Sequence, residues 1–195
     1  MFSGIVTALE KAKKIEKSQN SMSVVLPTPM DWNLNEGESV NIDGICSTVK
    51  QIEDKSFSVY YMPETLRVTN LSKVSENHEF NLERSLTLNS LVGGHLVAGH
   101  IDCVGEVSKV LPVGDSVVLT INLPREFAKY LIYKGSVAVN GVSLTVVEAN
   151  PNNFVVSLIP YTLKHTNLGS AKVGNQVNIE VDLMAKYLEK LVGKK

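Results

Sequence analysis

The feature that most limits how this chain can fold is that it contains itself twice. Asn41-Ile42-Asp43-Gly44-Ile45-Cys46-Ser47-Thr48-Val49 matches Ala138-Val139-Asn140-Gly141-Val142-Ser143-Leu144-Thr145-Val146, an offset of 97 positions. The same offset aligns Met62-Pro63-Glu64-Thr65-Leu66 with Ile159-Pro160-Tyr161-Thr162-Leu163, and Thr69-Asn70-Leu71 with Thr166-Asn167-Leu168. It also aligns Asn81-Leu82-Glu83 with Asn178-Ile179-Glu180. Nearer the start, Phe2-Ser3-Gly4-Ile5-Val6 matches Val97-Ala98-Gly99-His100-Ile101. A repeat kept in register over this length is one fold unit made twice. The 195 residues suffice for two small domains. The repeat divides them into residues 1–90, residues 91–181 and a short tail, 182–195.

Each copy reads as short β-strands. Ser21 to Leu26 and Asp115 to Leu123 nearly alternate between apolar and polar residues, and Ser39 to Val49 and Ser136 to Val147 are dense in β-branched residues. Asp43-Gly44 and Asn140-Gly141 are hairpin-turn dipeptides within those runs. Phe57 to Tyr61, Phe154 to Ile159, Phe80 to Leu86 and Val177 to Val181 are further strands. Ile5 to Ile15 is ambiguous alone, but its partner from His100 to Val107 alternates, so both are expected to be strands. Pro27 and Pro124 each precede a stretch that fits a short helix. About six strands per half, with regular turns, predict an all-β chain of two small closed barrels, since closure removes exposed edges. In the tail, Leu183, Met184, Tyr187, Leu188 and Leu191 have helical spacing, with Asp182 as N-cap and Gly193 as stop. So short a helix needs a partner surface, either its own barrel or another subunit.

Composition excludes several classes. A net charge of −1 with interspersed acids and bases lacks the clustered basic face of a nucleic-acid binder. The longest apolar runs, such as Leu91 to Val97, are too short and glycine-rich to span a bilayer. The N-terminus lacks the charged and apolar regions of an export signal. Cys46 and Cys103 are therefore expected as reduced thiols in a cytoplasm.

Residues on which the copies agree, such as Gly44/Gly141, Thr48/Thr145, Pro63/Pro160 and Thr65/Thr162, serve the fold or bind the same kind of ligand twice. Where polarity differs, roles have room to separate: Ile5/His100, Cys46/Ser143 and Ser85/Asp182. His100 is either a histidine at a barrel mouth or a group that moves protons near neutrality. Cys46 is either a nucleophile or a small buried hydrophobe. Ser143 has no GxSxG elbow around it, so its plain role is a hydrogen bond. Asp182 is most simply a cap and Lys134 a turn residue. His95, His100, Asp102 and Cys103 invite a metal reading, but strand parity sets the two histidines on opposite faces and no CxxC or HxH pair is present. No metal is expected.

The opening Met1-Phe2-Ser3-Gly4-Ile5-Val6, the segment Gly93-Gly94-His95-Leu96-Val97-Ala98-Gly99-His100, and Asn140-Gly141-Val142-Ser143-Leu144-Thr145-Val146 together resemble the riboflavin synthase alpha-chain family over nearly the whole chain. The resemblance implies two six-stranded Greek-key β-barrels in tandem with a C-terminal helix, assembled as a homotrimer, with lumazine synthase as a further candidate partner. It implies a dismutation. Two molecules of 6,7-dimethyl-8-ribityllumazine exchange a four-carbon unit and leave riboflavin and 5-amino-6-ribitylamino-uracil, without cofactor or metal. The working site is expected between the N-terminal barrel of one subunit and the C-terminal barrel of its neighbour.

By motif position, the N-barrel contacts fall on Gly4, Ile5, Val6, Cys46, Ser47, Thr48, Tyr60, Tyr61, Met62, Pro63, Glu64 and Thr65. The C-barrel contacts fall on Gly99, His100, Ile101, Lys134, Ser143, Leu144, Thr145, Ile159, Pro160, Tyr161, Thr162, Leu163 and Lys164. The resemblance implicates His100, Ser143, Cys46 and Asp182 in the chemistry. His100 with the Ser143/Asp182 pair is expected to handle protons and nucleophilic addition, and Cys46 to assist in the other pocket. Ser47 stands where leucine is usual, Ser3 where threonine is usual, Tyr161 where glutamate is common, and His165 is unusual in its loop. The alternative function is a non-catalytic antenna protein that binds lumazine or flavin. A plain structural pair of barrels leaves the polarity differences unexplained.

Overall fold

The computed structural model describes residues 1–76 and 78–192. In the N-terminal half the strands are β1 (Ala8–Lys11), β2 (Lys14–Lys17), β3 (Met22–Pro27), β4 (Ser39–Ile42), β5 (Ile45–Glu53), β6 (Ser56–Tyr61) and β7 (Glu79–Arg84), with helix α1 (Pro63–Val68) after β6. The C-terminal half has β8 (Cys103–Val113), β9 (Ser116–Asn122), helix α2 (Arg125–Ala128), β10 (Ser136–Val139), β11 (Val142–Ala149), β12 (Asn153–Leu158), helix α3 (Pro160–His165) and β13 (Gln176–Val181). Helix α4 (Leu183–Val192) ends the described chain.

The C half is a closed six-stranded barrel in the order β10-β11-β12-β9-β8-β13. The N half repeats that order as a seven-stranded sheet, β1-β7-β4-β5-β6-β3-β2. Its two edge strands are one strand broken at Ala12–Lys13: β1 pairs with β7, and β2 pairs with β3. The expectation of six strands in a closed N-terminal barrel is therefore corrected. At the corresponding place in β8, Gly105 is closely packed: a Cβ there would meet Ile179 Cδ1 at 2.4 Å and the Asn122 carbonyl oxygen at 2.8 Å. The repeat places Glu10 at that position, so the N-terminal strand does not share this close packing.

The hairpin dipeptides behave as their chemistry dictates. Asp43, Gly44, Asn140 and Gly141 all have positive φ, at 49°, 86°, 45° and 76°, and join β4 to β5 and β10 to β11 by two-residue turns. Each half fills its own interior. Phe57, Phe80, Leu26 and Ile42 are buried in one, and Phe154, Leu119, Ile121 and Ile179 in the other. A helix follows β9 at α2, but the expected N-half helix is absent. There Trp32 N donates to Pro29 O at 2.9 Å in a simple turn. Helices α1 and α3 instead form after β6 and β12, each with proline in the first turn.

The halves meet across a pseudo-twofold axis lined with amides. Asn70 N donates to Asn178 Oδ1, and its repeat partner Asn167 N donates to Asn81 Oδ1, both at 2.8 Å. Asn81 Nδ2 donates to Asn140 O, and Asn178 Nδ2 to Asp43 O, both at 2.9 Å. The symmetry breaks at Asp43, which stands where the other copy has Asn140. Its buried carboxylate accepts from Asn81 N and Asn167 Nδ2 and lies 2.6 Å from His78 Nε2.

Candidate functional site

Two buried glutamates, one per half, set the geometry of the site. Glu83 on β7 accepts from Ser3 N, Ser3 Oγ and Gly4 N at 2.7, 2.7 and 3.0 Å. Glu180 on β13 accepts from Ala98 N, Gly99 N and His100 N at 2.6, 2.8 and 2.9 Å. Burial lifts both carboxyls above the usual range, while the N–H groups aimed at them pull the other way. Each glutamate thus pins the leading segment of its own copy.

Once pinned, each leading segment lies against the opposite half. Ser143 N donates to Gly4 O, and Cys46 N donates to Gly99 O, both at 2.8 Å. The contact is tight: a Cβ on Gly4 would meet Ser143 Cβ at 2.6 Å, and a Cβ on Gly99 would meet Cys46 Cβ at 2.6 Å. Both glycines have positive φ, 75° and 81°, so a side chain there is excluded twice over. Val6 packs on the C-half core and Ile101 on the N-half core. Phe2 and Val97 pair across the axis and are fully buried. Gly4 to Val6 therefore sit beside Ser143, and Gly99 to Ile101 beside Cys46, which regroups the expected barrel assignments.

On β5 and β11 the alternation repeats. Cys46 and Ser143 are half-buried, Ser47 and Leu144 buried, and Thr48 and Thr145 exposed. Cys46, Ser47, Thr48 and Tyr60 to Thr65 line one cavity of about 580 Å³ in the N half. Nine of the expected N-barrel residues thus come together in one concave surface. Ser47 is at home where leucine is usual because its hydroxyl lies 2.9 Å from the Tyr61 hydroxyl and donates to Ile45 O. Burial pushes the Tyr61 phenol up, so it stays protonated. The copies at Leu144 and Leu158 fill the same interior positions with two leucines.

In the C half, Ile159 and Tyr161 are exposed at the β12–α3 junction, and Thr162 and Leu163 are half-buried. Lys134 holds a left-handed backbone, φ 62°, at the position where the N half uses Gly37 at φ 87°. Its ammonium lies 5.3 Å from the Tyr133 ring centroid. Asp182 caps α4, accepting from Met184 N at 2.9 Å.

The histidine bonded to Ser143 is His95, a residue considered in the sequence only as a metal ligand. Its Nδ1 lies 2.7 Å from Ser143 Oγ. Burial pushes the imidazole down, against the pull of the Asp182 carboxylate, so it is neutral and able to exchange a proton with the hydroxyl. His95 and His100 belong to no strand, so the parity argument does not apply to them. His100 is exposed, its main chain held by Glu180 next to Cys46. Cys103 is buried and its thiol pushed up to about 12, which leaves the half-buried Cys46 as the chemically available cysteine. A signal for the two glutamates was present in sequence, since Glu83 and Glu180 are charged residues inside matched apolar strands.

A second cavity, about 500 Å³, opens at the joint between the halves beside Asn70, His78 and Asn167. It contains none of the residues expected to carry chemistry. Among the described residues no group of three or more His, Cys, Asp or Glu gathers as a metal cage would require. No helix among them is long and apolar enough to cross a membrane.

The lumazine binding domain family matches residues 3–85 and again 98–182. A riboflavin synthase of Actinobacillus pleuropneumoniae is 39% identical over 197 residues, covering 100% of this chain and 91% of that protein. One of Escherichia coli (strain K12) is 40% identical, covering 93% of this chain and 87% of its own. One of Bacillus subtilis (strain 168) is 31% identical, covering 100% and 91%. Among solved structures, LumP complexed with riboflavin superimposes with a TM-score of 0.87 at 23% identity, over 93% of this chain and 99% of that one. LumP complexed with 6,7-dimethyl-8-(1'-D-ribityl) lumazine gives 0.84 at 24% identity, with the same coverage. These two establish likeness of fold.

Proposed function

The chain belongs to the riboflavin synthase family, and we propose that its two halves hold two 6,7-dimethyl-8-ribityllumazine molecules as donor and acceptor of a four-carbon unit, releasing riboflavin and 5-amino-6-ribitylamino-uracil. The observation that carries this reading is the paired construction around Cys46 and Ser143. Each lies against a glycine pinned by the other copy's glutamate, and their side chains differ in chemistry. One cradle made twice receives the same molecule twice, and the differing residues give the two molecules different treatment. Alignment of two reactants is worth about 7–11 kcal/mol of barrier.

The roles follow position. In the Ser143 pocket, His95 and the hydroxyl form a proton-exchanging pair within the field of Asp182. In the Cys46 pocket, the exposed His100 follows Gly99, whose carbonyl accepts from Cys46 N, so its main chain is held next to the half-buried cysteine. Together these groups take a proton from the lumazine methyl, add to the ring and support the anion that results. Residues 1–90 and 91–181 each build one cradle, completed by the leading segment of the other half, and α4 is the assembly helix.

The protein acts as a homotrimer in the cytoplasm. Support comes from α4, none of whose residues is buried and on which Met184, Tyr187, Leu188, Leu191 and Val192 are exposed. The helix is tied to its own barrel by Lys186 to Asp102 at 2.6 Å and by Glu189 to Lys129 and Tyr130, and Met184, Leu188 and Val192 line a groove beside Ile132 that offers a neighbour an apolar seat. Mixing two weak variants tests the shared site. Cys46→Ala/His100→Gln and Ser143→Ala/His95→Gln should each turn over slowly alone. Their mixed trimers should regain turnover, because some interfaces combine an intact Cys46 pocket with an intact Ser143 pocket. Recovery that never exceeds the sum of the separate rates contradicts a site between subunits.

A further inference from the structure

The rims of the two pockets differ at one helical turn. In the N half, Glu64 lines the cavity from the first turn of α1 and ion-pairs with Arg67 at 2.6 Å. On α3 the repeat places Tyr161 at the Glu64 position, with His165 one turn later. The Tyr161 and His165 rings are stacked, with centroids 4.1 Å apart and planes inclined by 27°. His165 Nδ1 also donates to the Tyr161 carbonyl oxygen at 2.8 Å, so the imidazole is held behind the phenol at two points. Tyr161 itself is 64% exposed. One face of the ring is backed by the imidazole and the side chain is otherwise open to solvent, at the position where the repeat's other copy, Glu64, lines a cavity.

We propose that Tyr161, backed by His165, is a specificity-determining platform of the C-half pocket that stacks on the flat ring system of the lumazine or flavin received there. The proposal rests on the lumazine-binding reading above and deepens it. A rigid phenol with two χ angles loses little entropy on binding and favours an offset face-to-face partner. The Glu64–Arg67 pair offers the N-half ligand an ionic edge instead. Two identical molecules thus meet an aromatic surface in one half and a charged rim in the other.

The test is a titration of the full chain with riboflavin, read by quenching of flavin fluorescence when the ring stacks on tyrosine. The wild type should show two classes of site. Tyr161→Glu, which installs the other copy's residue, should weaken one class by about two- to tenfold and abolish its quenching. Tyr161→Phe should keep both, and His165→Val, again the other copy's residue, should cause a smaller loss in the same class. With lumazine as substrate, Tyr161→Glu should raise KM while kcat at saturation holds. An unchanged melting temperature keeps folding out of the comparison, as expected for so exposed a side chain. Two normal classes of site in Tyr161→Glu overturn this proposal alone. Equal losses in Tyr161→Phe and Tyr161→Glu also overturn it, because they assign the effect to the hydroxyl. A wild type that binds neither riboflavin nor lumazine overturns the parent reading as well.

Discussion

Replacing Glu180 with Gln tests the frame that positions the site. The side chain is 2% exposed and takes three backbone N–H groups on two oxygens. Glutamine keeps one acceptor and turns an N–H₂ toward the others, leaving one or two buried amide donors facing another donor. Charge-assisted hydrogen bonds contribute about 1.5–3 kcal/mol each, and an orphaned buried donor costs about 1–3 kcal/mol. Part of that loss is offset, because burying the charged carboxylate is itself unfavourable, as the upward push on its pKa shows. The net expectation is a loss of about 2–4 kcal/mol. Urea unfolding should report it as a lower midpoint at constant slope. Glu83→Gln should lose a similar amount, since Ser3 and Gly4 supply an equivalent set of donors. Turnover should fall in both, because the Gly99–Cys46 and Gly4–Ser143 contacts loosen. A loss below about 0.5 kcal/mol, the range of an ordinary surface change, would refute the reasoning.

Further outcomes follow from single residues. His100→Gln should lower turnover strongly while ligand binding survives in the same titration, and unchanged turnover would remove His100 from the chemistry. Ser47→Ala should cost about 1–3 kcal/mol in chemical denaturation by orphaning the Tyr61 hydroxyl, whereas Ser47→Leu with Tyr61→Leu, the pair used by the other copy, should recover much of that loss. Lys134→Gly should leave stability equal or higher, because glycine relieves a left-handed backbone, while KM for lumazine rises as a ligand contact disappears. The joint should be pH-dependent. Burial pushes the His78 imidazole down, but the hydrogen bond and charge of Asp43, with Glu79 behind it, prevail and hold it above the usual histidine value. A raised native value means stability that is fully present below the unfolded-state pKa of about 6.5 and is lost as pH rises through the native one. Unfolding free energy should therefore fall over that window in the wild type and stay flatter in His78→Asn; parallel curves would contradict it.

Much of the fold was legible because the repeat allowed one copy to interpret the other. The clear alternation of Cys103 to Val107 identified the N-terminal strand, and Asp43-Gly44 and Asn140-Gly141 fixed two turns from backbone chemistry alone. The break in the N-terminal strand was hidden because pairing with two different neighbours, β7 before it and β3 after it, is a long-range property that local propensity does not record. Helices α1 and α3 had a signal in Pro63 and Pro160, yet six residues are too few for an apolar period to declare itself. The N-half cavity was legible as a set of residues. The partnership of His95 with Ser143, and the crossing of each leading segment onto the opposite half, were not. Both join residues far apart in the chain through hydrogen bonds that leave no periodic trace.

The central claim is that a doubled cradle brings two identical molecules together to react with each other. The most direct measurement is incubation of the purified protein with 6,7-dimethyl-8-ribityllumazine alone, following lumazine loss and flavin gain by absorbance. The account predicts one riboflavin formed and released for every two lumazines consumed, with nothing else added. Lumazine that binds in stoichiometric amount, stays fluorescent on the protein and yields no riboflavin would contradict it and favour the antenna reading.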